Sequence, residues 1–321
     1  MILLNRKISH KQLLLETIAR RLPVTDPDYG YYQELLRRVK AGFAGEQRVD
    51  YEWKEVNLAC RHYLLHDLEL CNESGSTHQI DTLFICPYFA FVVEIKNIVG
   101  RIEFIKENHQ FTRTTADGRV DGFKNPFDQV KRHAHFLRKL LQKQGIQMPI
   151  VYAVISANPN MILTNSLEGQ PIFHVSGLAQ KMEQFFGRNQ DVHLDDKQLR
   201  QVAKKLVKMH TPKKWIIRLD GAKGIKGVLC PHCSYQTKMR YVYGKWFCDT
   251  CKVTDRTAML IALHDYRLMI GESISNSEFK DFFNLPSTKR VYQIIKLLGF
   301  KGTGGNKNRR YIIPEDLIKH L

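Results

Sequence analysis

The spacing of hydrophobic residues changes period along the chain and predicts where helices give way to strands. Residues 1–42 are predicted to be mostly helical. Within YYQELLRRVKAGFAGE, the apolar residues at the spacing of one helical face are Tyr32, Leu35, Leu36 and Val39. From 57 to 114 the apolar runs become short and β-rich, with turn-forming residues between LACRHYLL, HQIDTLFI, YFAFVVEI and GRIEFI. The next stretch, TTADGRVDGFKNP, is predicted to be a polar loop.

A second helical period begins at about Pro126. Its apolar face consists of Phe127, Val130, Ala134, Leu137 and Leu141. The run IVYAVIS then predicts a buried strand. Helix, several strands, helix and strand in this order predict an α/β fold in which a mixed sheet is flanked by helices.

Composition shifts divide the chain of 321 residues, a length that suits about two domains. The predicted parts are a large α/β domain with its N-terminal helical region, a basic helix and linker, a cysteine module and a basic C-terminal domain. Their ranges are 1–190, 191–224, 225–254 and 255–321. Hydrophobic residues make up 43% of the chain, which excludes wholesale disorder.

The net charge of +17 favours a polyanionic partner such as nucleic acid or an anionic membrane, and we expect nucleic acid over the alternative of a merely soluble basic surface. The opening MILLNRKISHKQLLLE has no continuous apolar segment typical of a secretion signal. No apolar run approaches the ~20 residues that a membrane helix needs. We therefore expect a cytoplasmic protein that does not enter a membrane.

Charged residues interrupt two strands that are otherwise apolar. Alternate side chains of a strand share a face, so Glu94 and Lys96 point the same way and Phe91, Val93 and Ile95 point the other way. Asp81 likewise interrupts the preceding apolar strand. If the two strands pair as a hairpin, Asp81 lies beside Glu94. Adjacent carboxylates repel each other, and Mg²⁺ or Mn²⁺ with oxygen ligands relieves that repulsion. The alternative is a solvated strand end with Asp81 in a turn.

Four short motifs in a fixed order carry a resemblance to a known family. They are Gly45-Glu46, QID at 79–81, EIKNIVG at 94–100 and NPFDQVKRH at 125–133. Together they resemble the nuclease-related domain, NERD, and the Asp81…Glu94-x-Lys96 arrangement is similar to the signature of the PD-(D/E)xK nuclease superfamily. The resemblance covers about residues 40–175 and implies a restriction-endonuclease-like fold.

The resemblance also implies roles for individual residues. Asp81 and Glu94 would ligate Mg²⁺ or Mn²⁺, joined by the carbonyl of Ile95. Lys96 would be catalytic. Glu46 would be an accessory ligand or would orient water, and Gln129 would line the site from the second helix.

Four of the seven cysteines form two pairs. Cys230 and Cys233 in CPHC are separated by fourteen residues from Cys248 and Cys251 in CDTC. Two CxxC turns at this spacing predict a zinc ribbon with one structural Zn²⁺, held by four thiolates in a closed tetrahedral site. A redox CxxC motif would not explain two matched copies. Basic and aromatic residues between the pairs suit either nucleic-acid contact or ordinary packing.

The C-terminal domain reads as two helices followed by a glycine-rich basic hairpin. SNSEFKDFFNL and PSTKRVYQIIKLLGF are the helices, and KGTGGNKNRRYIIP is the hairpin. The order is similar to a winged helix, in which Lys289 and Arg290 would approach the major groove. The residues predicted to contact phosphates are Lys301, Lys307, Arg309 and Arg310. A compact helical docking domain with a solvated basic loop is the alternative.

These observations together predict a metal-dependent DNA nuclease that hydrolyses phosphodiester bonds and holds its substrate with the ribbon and the winged helix. A non-cleaving DNA-binding or regulatory protein with a nuclease-like fold is the first alternative. An RNA-directed protein is the second, because zinc ribbons serve both nucleic acids.

Overall fold

Two compact units make up the structure, a computed structural model that describes residues 1–58, 60–217, 224–305 and 308–317. Unit 1 comprises Met1–Ile8 and Val39–Lys213, and unit 2 comprises Ser9–Arg38 and Lys214–Leu321. The four-part division of the sequence stays a prediction. No helix in the described ranges has both the length and the apolar character needed to cross a membrane.

Most helices lie where the hydrophobic periods predict them, but one continues past residue 42 to Glu52 and another, Leu178–Arg188, lies where no helix was predicted. In chain order they are α1 (His10–Arg21), α2 (Tyr29–Glu52), α3 (Pro126–Gln142), α4 (Leu178–Arg188), α5 (Asp196–Met209), α6 (Ala258–Met269), α7 (Asn276–Phe283) and α8 (Thr288–Leu298). Asn125 caps α3 by accepting a hydrogen bond from the Phe127 amide, and Pro126 occupies the first turn, where no donor is needed. The capping residue thereby fixes where α3 begins.

Strands are more numerous than the sequence pattern predicts. In chain order they are β1 (Ile2–Leu4), β2 (Tyr63–Cys71), β3 (Thr77–Ile85), β4 (Ala90–Lys96), β5 (Gly100–Ile105), β6 (Gln110–Thr114), β7 (Val120–Phe123), β8 (Ile150–Ser156), β9 (Met161–Leu163), β10 (Ile172–His174), β11 (Val228–Leu229), β12 (Lys238–Val242), β13 (Lys245–Phe247), β14 (Ser273–Ser275), β15 (Gly302–Thr303) and β16 (Arg310–Ile312). The strand β1, which is three residues long, lies within residues 1–42, the stretch predicted to be mostly helical.

Unit 1 is built on a mixed six-stranded sheet with the strand order β1-β2-β3-β4-β8-β10. The strands β2, β3 and β4 are antiparallel, whereas β8 runs parallel to both β4 and β10. Both faces are covered. Val130 of α3 and Val202 of α5 belong to the core on one face, and Val49 of α2 and Met182 of α4 belong to the core on the other. The predicted α/β architecture with a mixed sheet is confirmed.

A second sheet of unit 1 corrects the sequence prediction. Its order is β7-β6-β5-β9, and β7 pairs antiparallel with β6. The stretch predicted to be a polar loop therefore contains the strand Val120–Phe123, and its loop parts are the turn between β6 and β7 and the two residues before α3. The turn is closed by Gly118 at φ +82° and by a hydrogen bond from the Thr115 amide to the Arg119 carbonyl. The strand was missed because it is four residues long and largely exposed.

Unit 2 joins α1 to the C-terminal half of the chain. The Arg21 guanidinium donates to Asp265 of α6 at 2.8 Å and to the carbonyls of Ile225 and Gly227. Arg20 also binds Asp265, and these cations outweigh the burial that opposes ionisation and hold the pKa of Asp265 below its usual range. Asp265 is 1% exposed, so this network ties α1 into the core of the unit.

Two small antiparallel sheets complete unit 2. One has the order β11-β12-β13, and the other has the order β14-β16-β15. The two predicted C-terminal helices correspond to α7 and α8, with Ser287 as N-cap and Gly299 in the left-handed conformation as C-cap. Val228 and Trp246 of the first sheet share one hydrophobic core with Ala262 of α6 and Phe283 of α7.

Candidate functional site

Asp81 and Glu94 lie opposite each other on one face of the six-stranded sheet. The antiparallel register pairs Thr82 with Val93, so one further step places Asp81 across from Glu94. The alternation of side chains along each strand agrees with this pairing. Leu83 is two residues from Asp81 on β3 and Val92 is two residues from Glu94 on β4, and both belong to the core beneath α3. The sequence prediction that these two carboxylates meet is therefore in accord with the strand geometry.

Lys96 continues this face at the end of β4. Its Nζ donates to Glu94 Oε1 at 2.6 Å and to Gln129 Oε1 of α3 at 3.5 Å. The Ile95 amide donates to Asp81 Oδ2 at 2.7 Å. Four of the predicted site residues thus form one connected cluster with the Ile95 backbone.

One carboxylate oxygen of this cluster has no hydrogen-bond partner within the described residues. Glu94 is 2% exposed, and its Oε2 is buried without a donor, although Oε1 accepts from Lys96. An unsatisfied buried oxygen is costly unless a ligand completes it. Its presence beside Asp81 is the feature expected where a cation binds.

Burial and mutual repulsion raise the pKa values of the acidic side chains. Burial, reinforced by the Asp81 carboxylate, raises the pKa of Glu94 to about 8. The same two causes raise the pKa of Glu46 to about 7. Burial also raises the pKa of Asp81 itself. The Glu94 and Glu46 carboxyls therefore bind protons near neutral pH in the absence of a cation, and a divalent ion can replace those protons.

Gly45 explains why Glu46 approaches the sheet. A Cβ atom at Gly45 would collide with the Asn97 side chain just beyond β4, so only glycine allows α2 to pack this closely. Asn97 in turn donates from Nδ2 to the Ala41 carbonyl at 2.5 Å. Gly45 of this motif therefore allows the close packing of α2. The next residue, Glu46, carries a carboxylate that the charge of Asp81 repels.

Arg6 is the main site residue that sequence reasoning missed. It follows β1, which pairs parallel with β2, and its side chain is only 4% exposed. Nη1 donates to Glu46 Oε2 at 2.9 Å and to Asp67 Oδ1 at 2.7 Å. Nη2 donates to the Asp81 carbonyl at 2.8 Å. One guanidinium therefore links three elements around the acidic cluster.

Asp50 and Asp67 extend the cluster beyond the predicted residues. Both Nε and Nη2 of Arg6 bind the Asp50 carboxylate, a bidentate arrangement. Asp67 has φ +50° inside β2, and burial raises its pKa to about 6. A half-buried aspartate in the left-handed conformation within a strand often marks a functional position. The signal in the sequence was HDLEL, where Asp67 breaks an apolar strand, but Arg6 gave no local signal.

We expect Arg6→Met to lower the free energy of unfolding by about 3 kcal/mol, because it removes a buried guanidinium and leaves three half-buried carboxylates without their cation. Denaturant unfolding at neutral pH measures this. Arg61→Met removes an exposed arginine that pairs with Asp196 at 3.1 Å, and we expect a change below about 0.5 kcal/mol. Equal effects of the two substitutions would contradict the stabilising role of Arg6.

The acidic cluster contains five carboxylates and two cationic side chains. The carboxylates belong to Glu46, Asp50, Asp67, Asp81 and Glu94, and the cations are Arg6 and Lys96. The negative excess, the oxygen-only ligands and the unsatisfied Glu94 oxygen fit a hard divalent cation such as Mg²⁺. The roles of Asp81 and Glu94 as ligands of such a cation stay predictions. The accessory roles of Glu46 and of the Ile95 carbonyl remain predictions.

The four paired cysteines come together as predicted. Their sulfur atoms all lie within 4.8 Å of one another. Cys230 and Cys251 are 3.6 Å apart at sulfur, and Cys233 and Cys248 are 3.7 Å apart. Sulfurs about 2.3 Å from a tetrahedral zinc ion are separated by about 3.8 Å, whereas disulfide sulfurs are about 2.0 Å apart. The cluster therefore suits one structural zinc ion bound by four thiolates.

The basic residues predicted to contact DNA occupy different environments in unit 2. Lys289, Arg290 and Lys301 are exposed. Arg309 packs over the Tyr311 ring, 5.7 Å from its centroid. Arg310 instead binds Glu278 at 2.8 Å and the Ser273 carbonyl at 2.9 Å, contacts that fasten β16 to its neighbours. Lys307 lies outside the described residues.

Comparison with known proteins gives two matches. Residues 41–157 match the family model described as nuclease-related domain. An uncharacterized protein of Bacillus anthracis is 32% identical over 103 residues, which cover 32% of this chain. The match covers 48% of that relative, so the chain spans about half the length of the curated protein it resembles. No solved structure matches. The matched range contains Glu46, Asp81, Glu94, Lys96 and Gln129, and the chain therefore carries a nuclease-related domain over residues 41–157.

Proposed function

We propose that unit 1 hydrolyses phosphodiester bonds of nucleic acid in a reaction that depends on Mg²⁺ or Mn²⁺. The observation that carries this proposal is the pair of facing carboxylates, Asp81 and Glu94, with a buried free oxygen and Lys96 on the same face. The match to the nuclease-related domain supports the same reaction class. Membership of the PD-(D/E)xK superfamily and a restriction-endonuclease-like fold form part of the proposal.

Each side chain of the cluster has a defined task in this scheme. Asp81 and Glu94 would hold the cation, which when bound activates water and offsets the charge that develops on the phosphate. Lys96 lies within reach of both the Glu94 carboxylate and Gln129, so its ammonium can orient the attacking water and stabilise the transition state. Burial lowers the pKa of Lys96, but Glu94 and Asp81 outweigh it and raise that pKa overall, so Lys96 acts as a cation rather than as a base.

Unit 2 is proposed to hold the nucleic acid, with DNA as the expected partner and RNA as the alternative. Its C-terminal elements run α6-β14-α7-α8-β15-β16, and the sheet order is β14-β16-β15. A helix-turn-helix followed by a β-hairpin favours a winged helix. The exposed Lys289 and Arg290 begin α8, the element that would enter the major groove. The β11–β13 sheet with its four cysteines would be a zinc ribbon.

A cleavage assay on linear, circular and single-stranded DNA and on RNA tests the proposal. We expect cutting with Mg²⁺ or Mn²⁺ and none in EDTA. Lys96→Ala should lower the rate by about 10² to 10⁴-fold, because it removes the cation nearest the reacting phosphate. Lys106→Ala, in the turn after β5, is the matched control and should leave the rate unchanged. Salt-sensitive binding without cutting on any substrate would instead support a non-cleaving DNA-binding protein.

A further inference from the structure

A groove beside α3 has the composition of a nucleic-acid site but lies outside the acidic cluster. It is a cavity of about 640 Å³, lined by α3, by the turn between β2 and β3, and by the end of α5. All of these elements belong to unit 1. Its basic lining residues are Arg132, His135, Lys139 and Lys143. Its aromatic and apolar lining residues are His78, Phe136, Leu140 and Met209.

The charge of this groove suits a polyanion. Arg132 and Lys139 are exposed on α3 and are separated by seven residues, about 10 Å along the helix axis. This distance spans about three stacked nucleotides of one strand. Glu73 is the acidic residue of the lining, and its carboxylate binds Lys143 at 2.6 Å. The positive end of the groove is therefore the end formed by Arg132 and Lys139.

Phe136 is half-buried in the lining of the groove. The imidazole of His78 covers one face of the Phe136 ring, parallel to it with centroids 4.0 Å apart, so a base would stack on the opposite face. His78 is itself fixed, because its Nδ1 lies 3.2 Å from Nδ1 of the buried His133. An aromatic ring held in a basic groove is the arrangement by which proteins bind single strands without sequence preference. Bases paired inside a duplex would not reach such a ring.

The groove also leads toward the acidic cluster along α3. Arg132 is three residues from Gln129, about one turn of helix, and Gln129 accepts a hydrogen bond from Lys96. We propose that this groove binds a single-stranded segment of nucleic acid and directs it toward the Asp81–Glu94 pair. Phosphates contact Arg132 and Lys139, and a base stacks on Phe136. The claim that the strand runs toward the Asp81–Glu94 pair rests on the proposed function, whereas the claim that the groove binds a single strand does not.

Fluorescence anisotropy in EDTA tests the binding without cleavage, using a labelled 20-nucleotide single strand and its duplex at several salt concentrations. We expect Arg132→Glu with Lys139→Glu to weaken single-strand binding at least tenfold. The slope of log affinity against log salt should become shallower by about 1.4, because each lost phosphate contact removes about 0.7. The matched control is Lys181→Glu with Arg188→Glu, an identical charge change on α4 across the sheet.

Two further variants separate binding from folding. Glu73→Gln should tighten binding about two- to threefold, since it frees Lys143, and a folding defect cannot produce that gain. Phe136→Leu should weaken binding about tenfold with an unchanged salt slope, because it removes stacking but no charge. Equal losses in the α3 and α4 charge variants, or an α3 charge variant that loses as much duplex affinity as single-strand affinity, would overturn the proposal. Absence of cleavage in Mg²⁺ with binding intact would refute only the proposed nuclease activity.

Discussion

Glu94→Gln is expected to lower the rate of metal-dependent cleavage by about 10³-fold while preserving the shape of the side chain. The amide replaces one of the two carboxylate oxygens by a nitrogen that cannot bind a cation and removes the negative charge. The unpaired Oε2 is buried opposite Asp81, so little else can take its place. Single-turnover cleavage at saturating Mg²⁺ measures the effect.

The same substitution should change how stability depends on pH in the metal-free protein. The Glu94 carboxyl has a pKa of about 8 in the fold and an ordinary value, about 4.3, in the unfolded chain. Between these values the folded state binds more protons than the unfolded state, so stability falls as pH rises toward 8. Glutamine does not titrate, and the free energy of unfolding should decline less over this range.

Glu168→Gln is the matched control for both measurements, because Glu168 is exposed and lies outside the acidic cluster. It should cleave at the wild-type rate and should keep the wild-type decline of stability with pH. A Glu94→Gln protein that cleaves normally would show that the facing carboxylates do not hold the catalytic cation. A loss of cleavage accompanied by unfolding would be visible in the same denaturation curves.

Removing the zinc ligands is expected to unfold much of unit 2. Purified protein should contain about one zinc ion per chain, and Cys230→Ser with Cys233→Ser should contain none. Zinc binding by four thiolates stabilises small folds by on the order of 10 kcal/mol. Cys230 and Cys248 are fully buried in the core that also holds Trp246 and Phe283. The loss should therefore spread from the cysteine sheet to α6 and α7.

Elemental analysis, helix content and Trp246 fluorescence measure this outcome together. Trp246 is 4% exposed, and its emission should shift to longer wavelength when the core opens. Cys71→Ser makes the same chemical change at an exposed cysteine outside the cluster and should keep both the zinc and the spectrum. Freshly purified protein without zinc, or a zinc-free variant with an unchanged unfolding midpoint, would contradict the assignment.

The sequence was most informative where a local period was broken by a charge. Asp81, Glu94 and Lys96 stand out because a strand alternates with a period of two and these positions should be apolar. The cysteine pairs stand out because zinc restricts ligand spacing. Both signals depend on a few neighbouring residues, and in both cases the structure brings the predicted residues together.

The sequence was least informative where a contact depends on distant parts of the chain. Arg6 is 75 residues from the Asp81 carbonyl that it binds, and nothing in its neighbourhood distinguishes it from other arginines. The residues of the cysteine module also share a core with the C-terminal helices, and the spacing of the cysteines does not indicate that packing. Tertiary packing decides such contacts, and hydrophobic periodicity in a single sequence does not record it.

The wide separation between Arg21 and Asp265 has a consequence during translation. Asp265 emerges from the ribosome 244 residues after its partner, a delay of roughly 10–50 s at about 5–20 residues per second. The apolar side chains of α1, among them Leu14, Leu15 and Ile18, are fully buried in the finished protein but have no α6 to pack on during this interval. A nascent chain that exposes such a segment for this long is a natural client for a ribosome-associated chaperone.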